Sequence, residues 1–274
     1  MERRDFLAVL AAGTVGALTS GSLTGCATPV PAAEIEPVEE ISPAAGQVST
    51  ARAPSSVLLP PAVGSRRPLP AGAITALPGP GRHLALTVDD GASSEVIGAY
   101  VKFAQDTGAR FTFFVTGSFD GWTDHRADLR PLVESGQIQL GNHTWSHPAL
   151  TEMSSRGVAD ELGRTKRFLR KQFGVDGTPF YRPPFGYHNP TVDAVAADLG
   201  YTVPTLWYGS LSDSGLITEK YLIRCARKYF RPQSIVIGHA NHDPVTKVYP
   251  ELVEIIRNRR LRMVTLDDFF VAAR

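Results

Sequence analysis

Two histidines four residues apart, His143 and His147, stand in the stretch Gly141-Asn142-His143-Thr144-Trp145-Ser146-His147-Pro148. On one helical turn that spacing would put both imidazoles on one face. Adding a carboxylate gives two His and one Asp, donor types suited to a divalent cation such as zinc. Three protein ligands leave positions open for water and substrate, the pattern of a catalytic metal site. Other chemically able groups are the adjacent Asp89 and Asp90, Arg182 in Tyr181-Arg182-Pro183-Pro184-Phe185-Gly186, and His239 after Gly238. Taken singly, each has a plainer reading. The His pair would be a cap beside a surface residue, and an Asp at a turn usually caps a helix. Arg182 would be a surface ion pair, and His239 a satisfied core residue. The weight comes from their order, their spacing and their common placement at strand ends.

The surrounding sequence supplies those strands. Apolar patterning predicts strands over 83–88, 109–115, 137–140, 180–181, 202–206, 234–237 and 262–265. Between them it predicts a helix capped by Ser93 or Ser94, then helices over 126–134 and 152–173. Further helices run from Pro190 to near Gly200, over 219–230 and 252–258, and from Asp267. About seven strand–helix units in regular alternation imply a parallel sheet, read as a distorted (β/α) barrel in a single α/β domain. An open doubly wound sheet is the competitor, though no Gly-x-Gly-x-x-Gly follows the first strand. In a parallel barrel, the ends of all these strands meet at one rim.

Composition divides the 274 residues sharply. Of 13 Phe, 8 Tyr and 3 Trp, only Phe6 precedes Tyr100, whereas 11 of 21 Pro fall between Pro29 and Pro80. Residues 83–274 are therefore expected to hold the folded domain, and 27–82 a Pro/Ala-rich disordered tether with no aromatic, Lys or His. As a flexible coil such a tether would span roughly 40 Å. Residues 1–26 read as an export signal: Arg3-Arg4 with Phe6-Leu7 resembles a twin-arginine signal, and the apolar run 6–18 is too short to span a bilayer. Leu23-Thr24-Gly25-Cys26 looks like a lipobox, with Cys26 as the lipidated residue and a membrane anchor at the outer face. An ordinary cleavage site with a chance Cys, or an apolar start on a cytosolic protein, is the bland counterpart. Cys26 and Cys225 are not expected to pair. With 28 Lys and Arg against 27 Asp and Glu, net charge is +1, which gives nucleic acid no support. Nothing in the sequence sets the oligomeric state.

At this point the chain resembles the polysaccharide deacetylases, the NodB-homology domain of carbohydrate esterase family four. Thr87-Val88-Asp89-Asp90-Gly91 resembles the family's first motif, usually Thr-Phe-Asp-Asp-Gly, although Ala92 stands where Pro is usual. His143 to Pro148 matches the second, Arg182 to Gly186 the third, and Ser234-Ile235-Val236-Ile237-Gly238-His239 resembles the fifth. The resemblance covers most of residues 83–270. It implies Asp90, His143 and His147 as ligands of a divalent metal, zinc first, with Co2+, Ni2+ or Mn2+ as alternatives. It implies Asp89 as base, Arg182 as the group orienting it, and His239 as general acid. Pro183, Pro184, Phe185 and Gly186 would form part of the substrate groove, with Ile237 against the acetyl methyl and the Tyr181 backbone near the oxyanion. The fourth motif is the departure: in Trp207-Tyr208-Gly209-Ser210-Leu211-Ser212-Asp213-Ser214, Asp213 fills the Asp position that tunes the acid, but Ser214 replaces a Trp. Trp207 is the aromatic left to line the groove, and Asp243 is a second candidate partner for His239.

The implied chemistry is coherent. Amide hydrolysis needs an activated water, a stabilised oxyanion and a proton for the leaving amine. Two adjacent carboxylates need not compete if a metal neutralises one and Arg182 the other. The expected activity is metal-dependent deacetylation of cell-surface glycan, peptidoglycan amino sugars first, with chitin oligomers and acetylxylan open. A non-catalytic glycan-binding module on the same fold is the rival, and hydrolysis of a small non-sugar amide a third reading.

Overall fold

The computed structural model describes residues 57–61 and 66–271. The expected export signal, Cys26, and residues 27–56 lie outside the described residues, and among the latter no helix is long and apolar enough to cross a membrane. In chain order the elements are β1 (Arg67–Pro68), β2 (His83–Asp90), α1 (Ser94–Thr107), β3 (Phe111–Val115), α2 (Gly121–Asp124) and α3 (Arg126–Glu134). There follow β4 (Ile138–Asn142), α4 (Ser155–Phe173), β5 (Phe180–Tyr181), α5 (Pro190–Asp198), β6 (Val203–Pro204) and β7 (Gly209–Ser210). The last are α6 (Glu219–Tyr229), β8 (Ser234–His239), α7 (Tyr249–Asn258), β9 (Arg262–Met263), α8 (Leu266–Phe269) and β10 (Phe270–Val271).

The strands run β6-β5-β4-β3-β2-β8-β7, all parallel, with β9 beside the start of β2. The sheet curls into the distorted, incompletely closed (β/α) barrel that the alternation implies. Strand alternation splits the core in two. Leu84, Leu86 and Val88 of β2, with Phe111, Phe113 and Val115 of β3, pack outward under α1, α3 and α7. Ala85, Phe114, Phe180, Val203 and Ile235 point inward and meet Leu266 and Phe270 of the chain's end. On β2 the inward series Ala85, Thr87, Asp89 is apolar at one end of the barrel and acidic at the other.

Most element boundaries follow the expected pattern to within a few residues. Short pieces escape it: α2, β7, β1 and β10 are too brief for any periodicity, and β7 is a strand only because β8 lies alongside it. Two differences bear on the site. Strand β2 runs on to Asp90, so the acidic pair ends a strand rather than occupying a turn. Residues 143–149 form a loop, not a helical turn, so His143 and His147 do not converge by helical spacing.

The domain boundary also differs. Part of the segment expected to be tether belongs to the fold. Leu58 is buried and its N–H donates to Thr107 O (2.9 Å) at the end of α1. Ile74 bridges to Thr205 beyond β6, while Ala76 bridges to Ser234 of β8. Ile74 and Leu77 enter the inner core. This strand of chain therefore fills the gap between the two sides of the open barrel. It was hard to read because a bridging segment carries only two buried apolar residues among prolines and glycines.

Candidate active site

Each chemically able residue sits at the carboxyl end of a strand or in the loop after it. Asp89 and Asp90 end β2, and His239 ends β8 in register with Asp89. His143 follows β4 and Arg182 follows β5, the two strands being paired through Asn142 and Tyr181. Apart from buried Arg182, they line a cleft of about 600 Å³ together with Pro183, Phe185, Trp207, Ile237, Phe119, Ser210, Ser214 and Asn241.

Asp90, His143 and His147 form a group able to hold a metal ion, their ligand atoms all within 4.8 Å of one another. Both Nε2 atoms lie 3.3 Å from Asp90 Oδ1, a buried oxygen with no hydrogen-bond donor. His143 Nδ1 is 2.7 Å from the carbonyl oxygen of Arg182. A carbonyl only accepts, so Nδ1 carries the proton and Nε2 offers its lone pair to the cleft, the arrangement of a metal-binding histidine. The electrostatics agree. Burial works against charge on Asp90, yet the neighbouring His143, Asn241 and His147 hold its carboxyl well below the usual carboxylate range. His143 is pushed up despite burial, by Asp89 and Asp90, whereas burial and His143 push His147 down. Two imidazoles and an unpartnered carboxylate oxygen thus compete for one positive charge, which a divalent cation supplies better than a shared proton.

Asp89 is oriented from the other side. Arg182 is wholly buried and its Nη1 donates to Asp89 Oδ1 at 2.5 Å. The guanidinium is itself fixed by Thr205 O (2.8 Å) and Leu206 O (3.2 Å) and lies over the Phe114 ring. Burial lowers its pKa, with Asp89 opposing, and it stays a cation. Asp89 Oδ2 is left facing His143 Nε2 at 3.6 Å. Across the cleft, His239 Nδ1 contacts Asp213 Oδ1 at 3.0 Å. Burial alone would lower His239, but the hydrogen bond to Asp213 and the charge of Asp89 raise it. Asp213, not Asp243, is the partner: Asp243 pairs with Lys247 at 2.7 Å.

Backbone strain concentrates here. Among the described residues, Asp90, Thr144, His147, Phe185 and Ser212 are five of the seven non-glycine positions with positive φ, and all lie in or beside the cleft. Glu161 of α4 holds the loop bearing both histidines, accepting from Trp145 N (2.9 Å), Ser146 N (2.8 Å) and Ser146 Oγ (2.8 Å). Sequence reading missed it, although a carboxylate on the same helical stripe as Val158, Leu162 and Thr165 was the available signal. Asn241 was missed too. Gly91 (φ 102°) is required: a Cβ there would lie 2.5 Å from Trp122, whose indole donates to Asp90 O at 3.2 Å.

Some expected groove residues fall elsewhere. Pro184 is buried, Gly186 lies against the Trp207 ring, and neither lines the cleft. The Tyr181 side chain points to Asp193, which also contacts His188. Ser214 does line the cleft, so no indole stands at that wall. Phe185 is exposed, 4.8 Å from the His147 ring and 5.9 Å from that of Tyr187.

The molecule is thus a parallel barrel with two histidines and a carboxylate able to hold a metal, flanked by an Arg–Asp pair and a His–Asp pair. The polysaccharide deacetylase family model, the family that the motifs resemble, matches residues 76–204. It is 35% identical over 126 residues to chitin deacetylase 1 of Cryptococcus neoformans, covering 44% of this chain and 25% of that one. It is 27% identical over 194 residues to the peptidoglycan-N-acetylglucosamine deacetylase PgdA of Listeria monocytogenes, covering 69% of this chain and 39% of that one. The chain thus spans from a quarter to two fifths of the length of these relatives. Its fold superposes on the crystal structure of the Bc1960 peptidoglycan N-acetylglucosamine deacetylase with a TM-score of 0.66 at 20% identity, covering 74% of this chain and 94% of that one.

Proposed function

We propose that this chain is a metal-dependent deacetylase of N-acetylated cell-surface polysaccharide, with peptidoglycan amino sugars as first substrate and zinc as metal. The observation that carries the reading is Asp90 Oδ1, buried, unpartnered and equidistant from two imidazole nitrogens, beside a second carboxylate held by a buried arginine. Asp90, His143 and His147 would hold the cation; when bound, it polarises the acetyl carbonyl and makes a neighbouring water more acidic. Asp89 takes the proton of the attacking water at Oδ2, since Arg182 occupies Oδ1. His239 gives a proton from Nε2 to the leaving amine, since Asp213 holds Nδ1. Ile237 offers an apolar wall to the acetyl methyl, and the Tyr181 backbone supports the oxyanion. Exposed Phe185 gives a sugar ring a face to stack on, and Trp207 flanks the cleft.

The relatives support both peptidoglycan and chitin as substrate classes. We place the enzyme outside the cell, tethered through Cys26, on the strength of the leader sequence alone. The test is acetate release from peptidoglycan, chitin oligomers and acetylxylan, with and without a chelator. Release that chelator abolishes and added zinc restores is expected. No release from any substrate would overturn the enzymatic reading in favour of a glycan-binding module.

A further inference from the structure

Asn241 lies in the cleft, two residues past His239, and no part of the reaction above uses it. Its Nδ2 donates to Asp90 Oδ2 at 2.8 Å. Its Oδ1 accepts from the backbone N–H of Ala92 at 3.2 Å. The loop that carries it is sewn to the same strand end, with Ala240 N donating to Asp89 O (2.9 Å) and Ser93 N to Ala240 O (3.0 Å).

We infer that Asn241 is a positioning residue for the metal-binding carboxylate, and that the N–H of Ala92 sets its orientation. The inference rests on the metal-dependent reading above. A carboxylate on Cβ can turn about its Cβ–Cγ bond. Asn241 ties one oxygen, Oδ2, and so fixes the plane of the group with the other, Oδ1, held toward His143 and His147. An amide does this without adding a charge that would compete for the cation. The amide itself has two ends of opposite polarity. A backbone N–H can meet only the oxygen end, so Ala92 forces the NH2 end toward Asp90. Proline, the usual residue at position 92 in the first motif of the family, has no N–H and could not do this. The departure at Ala92 and the presence of Asn241 are therefore two halves of one device.

The test measures metal binding on the full chain, independently of turnover. Kd values for Zn2+ and Co2+ come from competition with a chromogenic chelator, and the visible spectrum of bound Co2+ reports ligand geometry. Asn241→Ala should weaken both ions by about 10–100-fold, the usual effect of losing a group that orients a metal ligand. It should alter the Co2+ spectrum while the melting temperature of the metal-free protein stays unchanged. Ala92→Pro should weaken binding in the same direction, and should cost nothing further in the Asn241→Ala background. Undiminished affinity and an unaltered Co2+ spectrum in Asn241→Ala would overturn this inference alone. Additive losses in the double variant would overturn the role given to Ala92. A parent protein that binds neither ion would overturn the metal reading and this inference with it.

Discussion

At the residue scale, the proposed acid and base are separated by what each side chain is tied to. Asp89 is paired with a buried guanidinium, and His239 with the carboxylate of Asp213. The hydrogen bond to Asp213 raises the pKa of His239 against the effect of burial. A raised pKa keeps the imidazole protonated to higher pH, so the alkaline limb of kcat/KM should reflect it. Asp213→Asn removes the charge and keeps the shape. That limb should move to lower pH, and kcat at the optimum should fall by about 10–100-fold, within the range for acid catalysis. A pH profile of acetate release checks this; an unmoved limb would take His239 out of the acid role.

The element that matters most is the loop between β4 and α4. Thr144 and His147 adopt left-handed backbone, an unfavourable state for a β-branched residue in particular. Three hydrogen bonds to Glu161 offset that cost. Glu161→Ala should free the loop, weaken zinc binding by about 10–100-fold and lower stability by a few kcal/mol, as loss of a buried hydrogen-bonded acceptor does. Zinc titration alongside urea unfolding separates the two effects. Wild-type zinc affinity would show that the loop holds its shape without α4. The alternation of strands and helices was legible because each long element repeats its pattern several times. This loop was not, because its conformation is set by a glutamate located on the following helix, through contacts that no local pattern encodes.

For the molecule as a whole, the open seam of the barrel is the weak place. Residues 74–77 lie across it, with Ile74 N–H donating to Pro204 O (2.9 Å) and Leu77 N–H to Gln233 O (2.9 Å). Both side chains join the inner core. Ile74→Ala should destabilise the fold by about 2–5 kcal/mol, the range for removing a large aliphatic side chain from a core. Denaturant unfolding reads this directly, and a loss under about 0.5 kcal/mol, the level of an ordinary surface change, would show that the segment merely rests on the surface. A catalytic fragment starting at residue 83 should accordingly fold poorly. On the opposite end of the sheet, a cavity of about 630 Å³ is lined by Arg110, Asp267 and Asp268, without the histidines that distinguish the cleft.

Side-chain types, motif spacing and the period of apolar residues made the candidate residues, and the alternation of strands and helices that carries them, legible along the chain. The resemblance of the fourth motif pointed to Asp213 as the partner of His239, with Asp243 as a second candidate. Tertiary contacts alone set how His143 and His147 converge, join Asn241 to Asp90, tie the loop bearing both histidines to Glu161, and bring chain before residue 83 into the barrel. Those depend on hydrogen bonds between residues far apart in the chain, such as Asn241 with Asp90, 151 positions away. A pattern read along the chain is blind to such pairs, because their geometry exists only once the strands have been set side by side.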